Sequence, residues 1–303
     1  IRAVHLFPGV VQEFAWLLAT LAVISVLYGA VVTLRQAVTH LADSWTLDGR
    51  VSSPLNIAMV LASTGPLAEF TNLESLDLSG SEDLQNLDGL IPLKKLKKII
   101  LGDCKSLKNL DGLANCTKLT HLDLNGCDSL KNVDGLTNCT KLTRLNLGED
   151  YSRRWGSSGC VSIKNLDGLT NCTRLTHLSL SGCTGLQNLD GLTNCTRLTH
   201  LNLSGCTGLQ NLDGLDNCTN ITELSLNSCE SLQDIDGLIN CTKIRKEYGD
   251  NRDLNFGGCR SLQNLDGLAN CTKITSLYLS ECTSLQNLDG LANCTMLTEL
   301  YLS

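Results

Sequence analysis

Aromatic residues and positive charge are scarce in this sequence. Phe, Trp and Tyr make up 4% of its 303 residues, and the formal net charge is −7 at pH 7. A nucleic-acid-binding body is usually basic, and no glycine-rich phosphate loop of the Walker or dinucleotide type occurs in the chain. We therefore expect no nucleic acid partner, no cofactor and no small-molecule substrate.

One repeated unit fills residues 73–303. Its copies begin at Leu73, Leu96, Leu119, Leu142, Leu175, Leu198, Ile221, Ile244, Ile274 and Leu297. The spacing is 23 residues except for 33 after Leu142 and 30 after Ile244, so two copies carry insertions, at 149–158 and 246–252. A single unit of this size cannot bury its own apolar edge, so the copies must stack into an array.

Apolar residues or cysteines occupy positions 1, 4, 6, 9, 12, 15, 18 and 21 of a copy, counted from its first residue. Positions 4 to 6 alternate as in a short strand, and the later spacing of three fits 3₁₀ turns better than an α-helix. LTHLDLNGC from Leu119 and LTHLSLSGC from Leu175 resemble the LxxLxLxxN/C signature of the leucine-rich repeat family.

The resemblance to leucine-rich repeats implies a right-handed solenoid with a parallel sheet on its concave face, and the short unit is similar to internalin-like repeats. We predict about ten rungs of strand and turn or 3₁₀ coil, preceded by one transmembrane helix. Because the sequence closes at Ser303 inside a strand, we expect further repeats downstream.

The N-terminal part contains a long apolar stretch at residues 14–34. It has 21 residues, the length of a membrane-spanning helix, and none of them is charged. We predict a membrane anchor in residues 1–36 and a linker with an N-terminal cap in residues 37–72; a buried core helix is the alternative to the anchor. Residues 21–36 also resemble a transmembrane segment of antiporter-like respiratory complex I subunits, but without the lysine that follows it there.

The compartment of the array is predicted from flanking charge and from cysteine. Arg35 and Arg50 follow the apolar stretch, which favours a cytoplasmic array by the positive-inside rule. All 16 cysteines lie in the array, eight at position 9 and eight at position 21. We interpret them as free core thiols, which favour a reducing compartment, with zinc or disulfides as alternatives. A cell-surface or secreted array is the alternative location.

Two further motifs recur in the array. Asp stands at position 16 and Asn-Cys-Thr at positions 20 to 22. We predict that the aspartates cap backbone N–H groups of a tight turn and do not bind calcium. We likewise interpret Asn-Cys-Thr as turn chemistry, with glycosylation as its alternative.

Information about a partner should lie where the copies differ. Position 3 faces out of the concave sheet and gives a row with a basic or titratable centre: Lys98, His121, Arg144, His177, His200 and Glu223. Position 5 adds Tyr278 and Tyr301 at one end. His177 and His200 stand on consecutive rungs, but without a third ligand we assign no metal.

The insertions contribute aromatic and arginine residues of the kinds that interfaces favour. The first contains Tyr151, Arg153, Arg154 and Trp155, and the second contains Tyr248 and Arg252. Tolerated surface loops are the alternative interpretation.

No nucleophile and base, metal-ligand spacing or catalytic carboxylate pair interrupts the repeat, so we expect no enzyme activity. The leading hypothesis is a membrane-tethered, non-catalytic scaffold that binds a protein through its concave strands and two loops. The alternatives are a regulatory or sensor fragment of a larger membrane enzyme or transporter, and an extracellular adhesin or receptor ectodomain.

Overall fold

The computed structural model describes residues 72–149, 159–245 and 254–303. The predicted anchor at 14–34, the linker and cap up to residue 71, and the two insertions apart from Glu149 lie outside these ranges. The described residues all belong to one compact unit, Val51–Ser303. Within them, no helix combines the length and apolarity needed to cross a membrane.

Each copy contributes one short strand at positions 3 to 5, one residue before the alternation of positions 4 to 6 that predicts it. The strands are β1 (Ser75–Asp77), β2 (Lys98–Ile100), β3 (His121–Asp123), β4 (Arg144–Asn146), β5 (His177–Ser179), β6 (His200–Asn202), β7 (Glu223–Ser225), β8 (Leu254–Asn255), β9 (Ser276–Tyr278) and β10 (Glu299–Tyr301). They form parallel sheets in sequence order, one of β1 to β7 and one of β8 to β10.

The copies on either side of residues 246–253 remain hydrogen-bonded to each other. The Ser228 N–H donates to the Gly257 carbonyl at 2.7 Å, and the Gln263 N–H donates to the Gln233 carbonyl at 3.0 Å. The described strands β7 and β8 thus belong to separate sheets, while the coils on either side remain stacked.

A 3₁₀ turn with the sequence Asp-Gly-Leu follows each strand from β1 to β9, as the spacing of three predicts. These turns are Asp88–Leu90, Asp111–Leu113, Asp134–Leu136, Asp167–Leu169, Asp190–Leu192, Asp213–Leu215, Asp236–Leu238, Asp266–Leu268 and Asp289–Leu291. Their glycines allow close stacking. A Cβ added at Gly191 would overlap the carbonyl of Leu166 in the preceding copy.

The core runs along the array and is built from the apolar positions of the copies, which become exposed only in the last two. In the copy from Leu175 all eight side chains are at most 1% exposed: Leu175, Leu178, Leu180, Cys183, Leu186, Leu189, Leu192 and Cys195. Burying one leucine contributes about 1.5–3 kcal/mol, so stacking of neighbouring copies provides the main stabilisation. The predicted strand-and-turn solenoid is confirmed.

The cysteines form two ladders of free thiols inside this core. At position 9 each Sγ donates to the position 6 carbonyl of the preceding copy, as Cys206 does to Leu180 at 3.2 Å. At position 21 the Sγ reaches carbonyls of the preceding copy, as Cys218 does to Cys195 at 3.6 Å. Burial raises the pKa of Cys183 to about 12. Cysteine is therefore used as a small core residue that also carries a weak donor.

The prediction that Asp at position 16 caps the turn is wrong. The residue before each 3₁₀ turn is apolar, and its side chain makes no capping hydrogen bond, as at Leu189. Instead, the Asn188 Oδ1 accepts the N–H of Asp190 at 3.3 Å, and the same bond recurs two residues before the other turns. This is an Asx turn, in which a side-chain oxygen takes the N–H two residues on. The Asp side chains are exposed.

The Asn-Cys-Thr motif places its asparagine against the preceding copy. The Asn194 Nδ2 donates to the Thr170 carbonyl at 3.2 Å, and the equivalent asparagines repeat this contact along the array. The middle cysteine is buried. These contacts support the interpretation of the motif as turn chemistry.

Candidate binding groove on the concave face

The strand register aligns the variable position 3 side chains in one row. His121 lies opposite Arg144, Arg144 opposite His177, and His177 opposite His200. Since side chains alternate along a strand, the intervening leucine of each strand enters the core while positions 3 and 5 point outward. Lys98 and Glu223 occupy the flanking strands of the same row.

A threonine before each histidine fixes the orientation of the ring. The Thr176 hydroxyl donates to the Thr143 carbonyl at 2.9 Å, and the His177 Nδ1 lies 2.9 Å from the same hydroxyl oxygen. Since a hydroxyl has only one proton to donate, the Nδ1 must carry the hydrogen of the second bond. The dipeptides at Thr120 and Thr199 repeat this arrangement.

His200 is paired with a carboxylate in addition. Its Nε2 lies 3.2 Å from the Glu223 Oε1, while its Nδ1 donates to the Thr199 hydroxyl oxygen at 2.8 Å. Both ring nitrogens of His200 therefore have a partner within the array. The His200–Glu223 pair is thus closed within the array.

His177 and His121 have different surroundings. The His177 ring stacks on His200 with centroids 4.1 Å apart and an angle of 11° between planes. Burial, followed by the neighbouring His200 and Arg144, lowers the pKa of His177. Burial, followed by Arg144 and Lys98, lowers the pKa of His121. Both rings are therefore neutral near pH 7, and in each of them the Nε2 carries a lone pair that can accept a proton.

A groove of about 580 Å³ lies over strands β2 to β6. Its lining includes two cations, two carboxylates, two histidines and a row of amides and hydroxyls: Lys98, Arg144, Asp123, Glu149, His121, His177, Asn146, Ser179 and Asn202. The Asp123 Oδ1 accepts the Asn146 Nδ2 at 3.0 Å and the Asn125 N–H at 3.2 Å. The arrangement provides hydrogen bonds and charge for an extended polar ligand.

The predicted aromatic end lies on the shorter sheet. Tyr278 and Tyr301 stack with centroids 4.3 Å apart and 5° between planes, and the Tyr301 hydroxyl donates to the Glu299 Oε2 at 3.1 Å. The hydrogen bonds of Tyr301 with Tyr278 and Glu299 raise its pKa to about 12. This pair is separate from the groove lining.

The structure also shows what sequence reasoning missed and what it leaves untested. The role of threonine in holding the histidines went unpredicted, although Thr-His occurs three times at the start of a strand. Glu149, assigned to an insertion, lines the groove. The other residues assigned to the insertions, Tyr151, Arg153, Arg154, Trp155, Tyr248 and Arg252, lie outside the described residues. In the described ranges, no cluster of three His, Cys, Asp or Glu side chains is suited to a metal ion.

Three family models match different parts of the array. "Zer-1-like, Leucine-rich repeats" matches residues 65–148, and "Endo-beta-N-acetylglucosaminidase EndoS LRR domain" matches residues 159–213. "BspA type Leucine rich repeat region (6 copies)" matches residues 250–302. No curated protein matches the sequence.

The chain is also similar to solved structures at low identity. A mouse RP105/MD-1 complex aligns with a TM-score of 0.53 and 23% identity over 78% of this chain and 39% of that chain. An internalin C2 of Listeria monocytogenes aligns with a TM-score of 0.49 and 17% identity over 71% and 84%. The internalin inlF of the same organism gives 0.41 and 18% over 78% and 76%. At such identities the likeness concerns the fold alone.

Proposed function

We propose, from the premise that residues 73–303 form a leucine-rich repeat array, that this protein is a non-catalytic scaffold that binds a partner protein through its concave groove. Interaction is the role that such arrays commonly serve, but a fold does not dictate a function. The proposal therefore rests on the groove itself.

The observation that carries the proposal is the contrast between the two sides of each strand. The core positions repeat with almost no variation and are buried, whereas positions 3 and 5 change from copy to copy and line the groove. A repeated scaffold needs no variation at these outward positions for its own stability. Variation of these side chains between copies, on the surface that faces the groove, favours the recognition of a particular partner.

The residues assigned to binding divide into three groups. Lys98, His121, Arg144 and His177 line the groove, while His200 and Glu223 form its boundary on β6 and β7. Tyr278 and Tyr301 offer a stacked aromatic surface on β9 and β10. We propose the six insertion residues named above as additional contacts.

Charge reversal in the groove tests this assignment. We expect Arg144→Glu to weaken capture of a purified partner by tenfold or more, as substitution of a central interface arginine commonly does. Lys118→Glu makes the same change at an exposed site outside the groove lining and should have little effect. Equal capture by both variants at matched thermal stability would place the binding surface elsewhere.

We propose further that residues 14–34 tether the scaffold to a membrane with the array on the cytoplasmic side; a surface-exposed or secreted array is the alternative. A chain lacking residues 1–36 should leave the membrane fraction if the tether is real. Proteolysis of intact cells distinguishes the two locations, because a cytoplasmic array stays intact and a surface array is digested.

A further inference from the structure

The permanent charges that line the groove cancel each other. Lys98 and Arg144 are the cations, and Asp123 and Glu149 are the carboxylates. While His121 and His177 are neutral, the formal charges of the described lining residues add to zero. Protonation of both imidazoles gives it two positive charges. These two histidines therefore decide whether the groove attracts an acidic ligand.

We propose that the groove is a proton-gated binding site for an acidic segment of the partner protein, and that His121 and His177 are the gate. This inference rests on the proposed function and adds two properties to it: the chemistry of the partner and its control by pH.

Arg144 is the centre of the site. Its strand lies between those of the two histidines, so each imidazole is one rung away from the guanidinium, a spacing of about 4.8 Å. Within the described residues Arg144 makes no salt bridge of its own. A glutamate or aspartate side chain on Arg144 would therefore have an imidazole on either side.

The threonine bonds make the histidines suitable for this role. Because the Nδ1 of each ring already donates to the preceding threonine hydroxyl, the Nε2 is the nitrogen that takes up a proton. Protonation adds an N–H donor on the groove lining and leaves the threonine bond intact. The ring keeps its place while its charge changes.

The groups that face the histidines set the direction of the response. His177 faces Arg144 on β4 and His200 on β6, with Glu223 and His121 further away, and His121 faces Lys98 and Arg144. Burial and these cations oppose protonation, and Glu223 alone favours it at His177. A bound carboxylate adds negative charge, so ligand binding and proton uptake must strengthen each other.

An acidic peptide fits the groove better than another polyanion. Among the described residues of the lining there is no Phe, Tyr or Trp, and Asp123 and Glu149 would repel a phosphate backbone, so the groove is poorly suited to a nucleic acid. The position 5 side chains Asn146, Ser179 and Asn202 offer hydrogen bonds to the main chain of an extended peptide. The next pair along the row, His200 with Glu223, is already satisfied and marks the end of the site.

The test uses the full chain and a short fluorescein-labelled peptide of glutamate and glycine, with glutamine in place of glutamate as the control peptide. Anisotropy gives the affinity between about pH 7.5 and about pH 5.5 at constant ionic strength, a range in which glutamate stays ionised. We expect the affinity for the acidic peptide to rise on acidification by up to about tenfold per pH unit for each proton taken up. The glutamine peptide should show no such rise.

Variants identify the groups responsible. The double substitution His121→Gln with His177→Gln keeps an amide donor for the threonine and removes the titration, so binding should become independent of pH. Lys118→Gln removes an exposed cation outside the groove lining and should keep the pH dependence. NMR should show that the peptide raises the pKa of His121 and His177 in the wild-type chain.

Several results would overturn the proposal. The proposal is wrong if the affinity for the acidic peptide is equal at both pH values. It is also wrong if the double variant still binds more tightly in acid, or if the peptide does not change the pKa of His121 and His177. If the partner is lost on Arg144→Glu but binds equally at both pH values, the gate is refuted while the scaffold function stands. If Arg144→Glu also has no effect, both fail.

Discussion

Replacement of Gly191 by alanine should destabilise the array, although glycine inside a helical segment is usually less stable than alanine. Gly191 is the middle residue of the 3₁₀ turn Asp190–Leu192, and it does not have a positive φ. Relief of backbone entropy alone would therefore make Gly191→Ala stabilising by about 0.4–1 kcal/mol. The structure predicts the opposite sign.

The reason is the contact between successive turns. A Cβ at Gly191 would overlap the backbone C=O of Leu166 and would lie 3.0 Å from the Asp167 N. These atoms belong to the backbone of the preceding rung, so no flexible side chain can move aside. Overpacking of this kind costs about 1–3 kcal/mol, which exceeds the entropic gain.

Urea unfolding measured by circular dichroism gives the free energy of unfolding for the wild type and each variant. Gly205 is the matched control, because its φ is +71° and the nearest atom to an added Cβ is at 3.5 Å. There alanine is strained by its backbone angle, and asparagine, which tolerates that angle, should restore most of the loss. At Gly191 asparagine should be as harmful as alanine. A neutral or stabilising Gly191→Ala would refute the close-stacking argument.

Three further predictions follow from the site and the core. Asn188→Ala should lower the free energy of unfolding by about 1 kcal/mol, because it removes the Asx turn. Asp190→Asn should change the free energy of unfolding by less than about 0.5 kcal/mol. Urea unfolding measures both values. Cys206→Ala should cost about 1–2 kcal/mol through its cavity and the lost S–H bond, and the wild-type thiol should react with iodoacetamide only after unfolding. The pKa of His177 is lowered in the folded state. Its neutral form therefore stabilises the fold above about pH 6.5, and this contribution is lost as the pH falls through the folded pKa. In thermal melts across that range, His177→Gln should lose less stability on acidification than the wild type.

Periodicity predicted the strand and the tight turns of each copy, and the resemblance to leucine-rich repeats added the parallel sheet of the solenoid. Leu178 and Leu180 alternate around a polar residue, and the later apolar residues recur every three positions, which allows one strand and several tight turns per coil. Register followed because copies of equal length must align equivalent residues. The long first insertion does not disturb it: Leu145 still pairs with Leu178.

The chemistry of individual side chains was less accessible from the sequence. Asp190 and Asn188 are both good turn residues, and only the geometry shows that the asparagine accepts the N–H. Likewise the position 3 row was predicted to have a basic or titratable centre, in which the histidines are alike. The structure instead separates His200, which is paired with Glu223, from His177, which stays neutral beside it. That difference depends on which ring the Glu223 carboxylate contacts, since both histidines have the same threonine contact.

The cysteine, threonine and asparagine ladders share a direction along the chain. The Cys206 thiol, the Thr199 hydroxyl and the Asn194 amide each donate to a carbonyl of the preceding copy. During synthesis on the ribosome, a newly emerged copy would therefore find its acceptors already in place on the folded copy before it. The array is suited to vectorial growth from its N-terminal end, one coil after another, with no copy having to wait for the next to satisfy these donors.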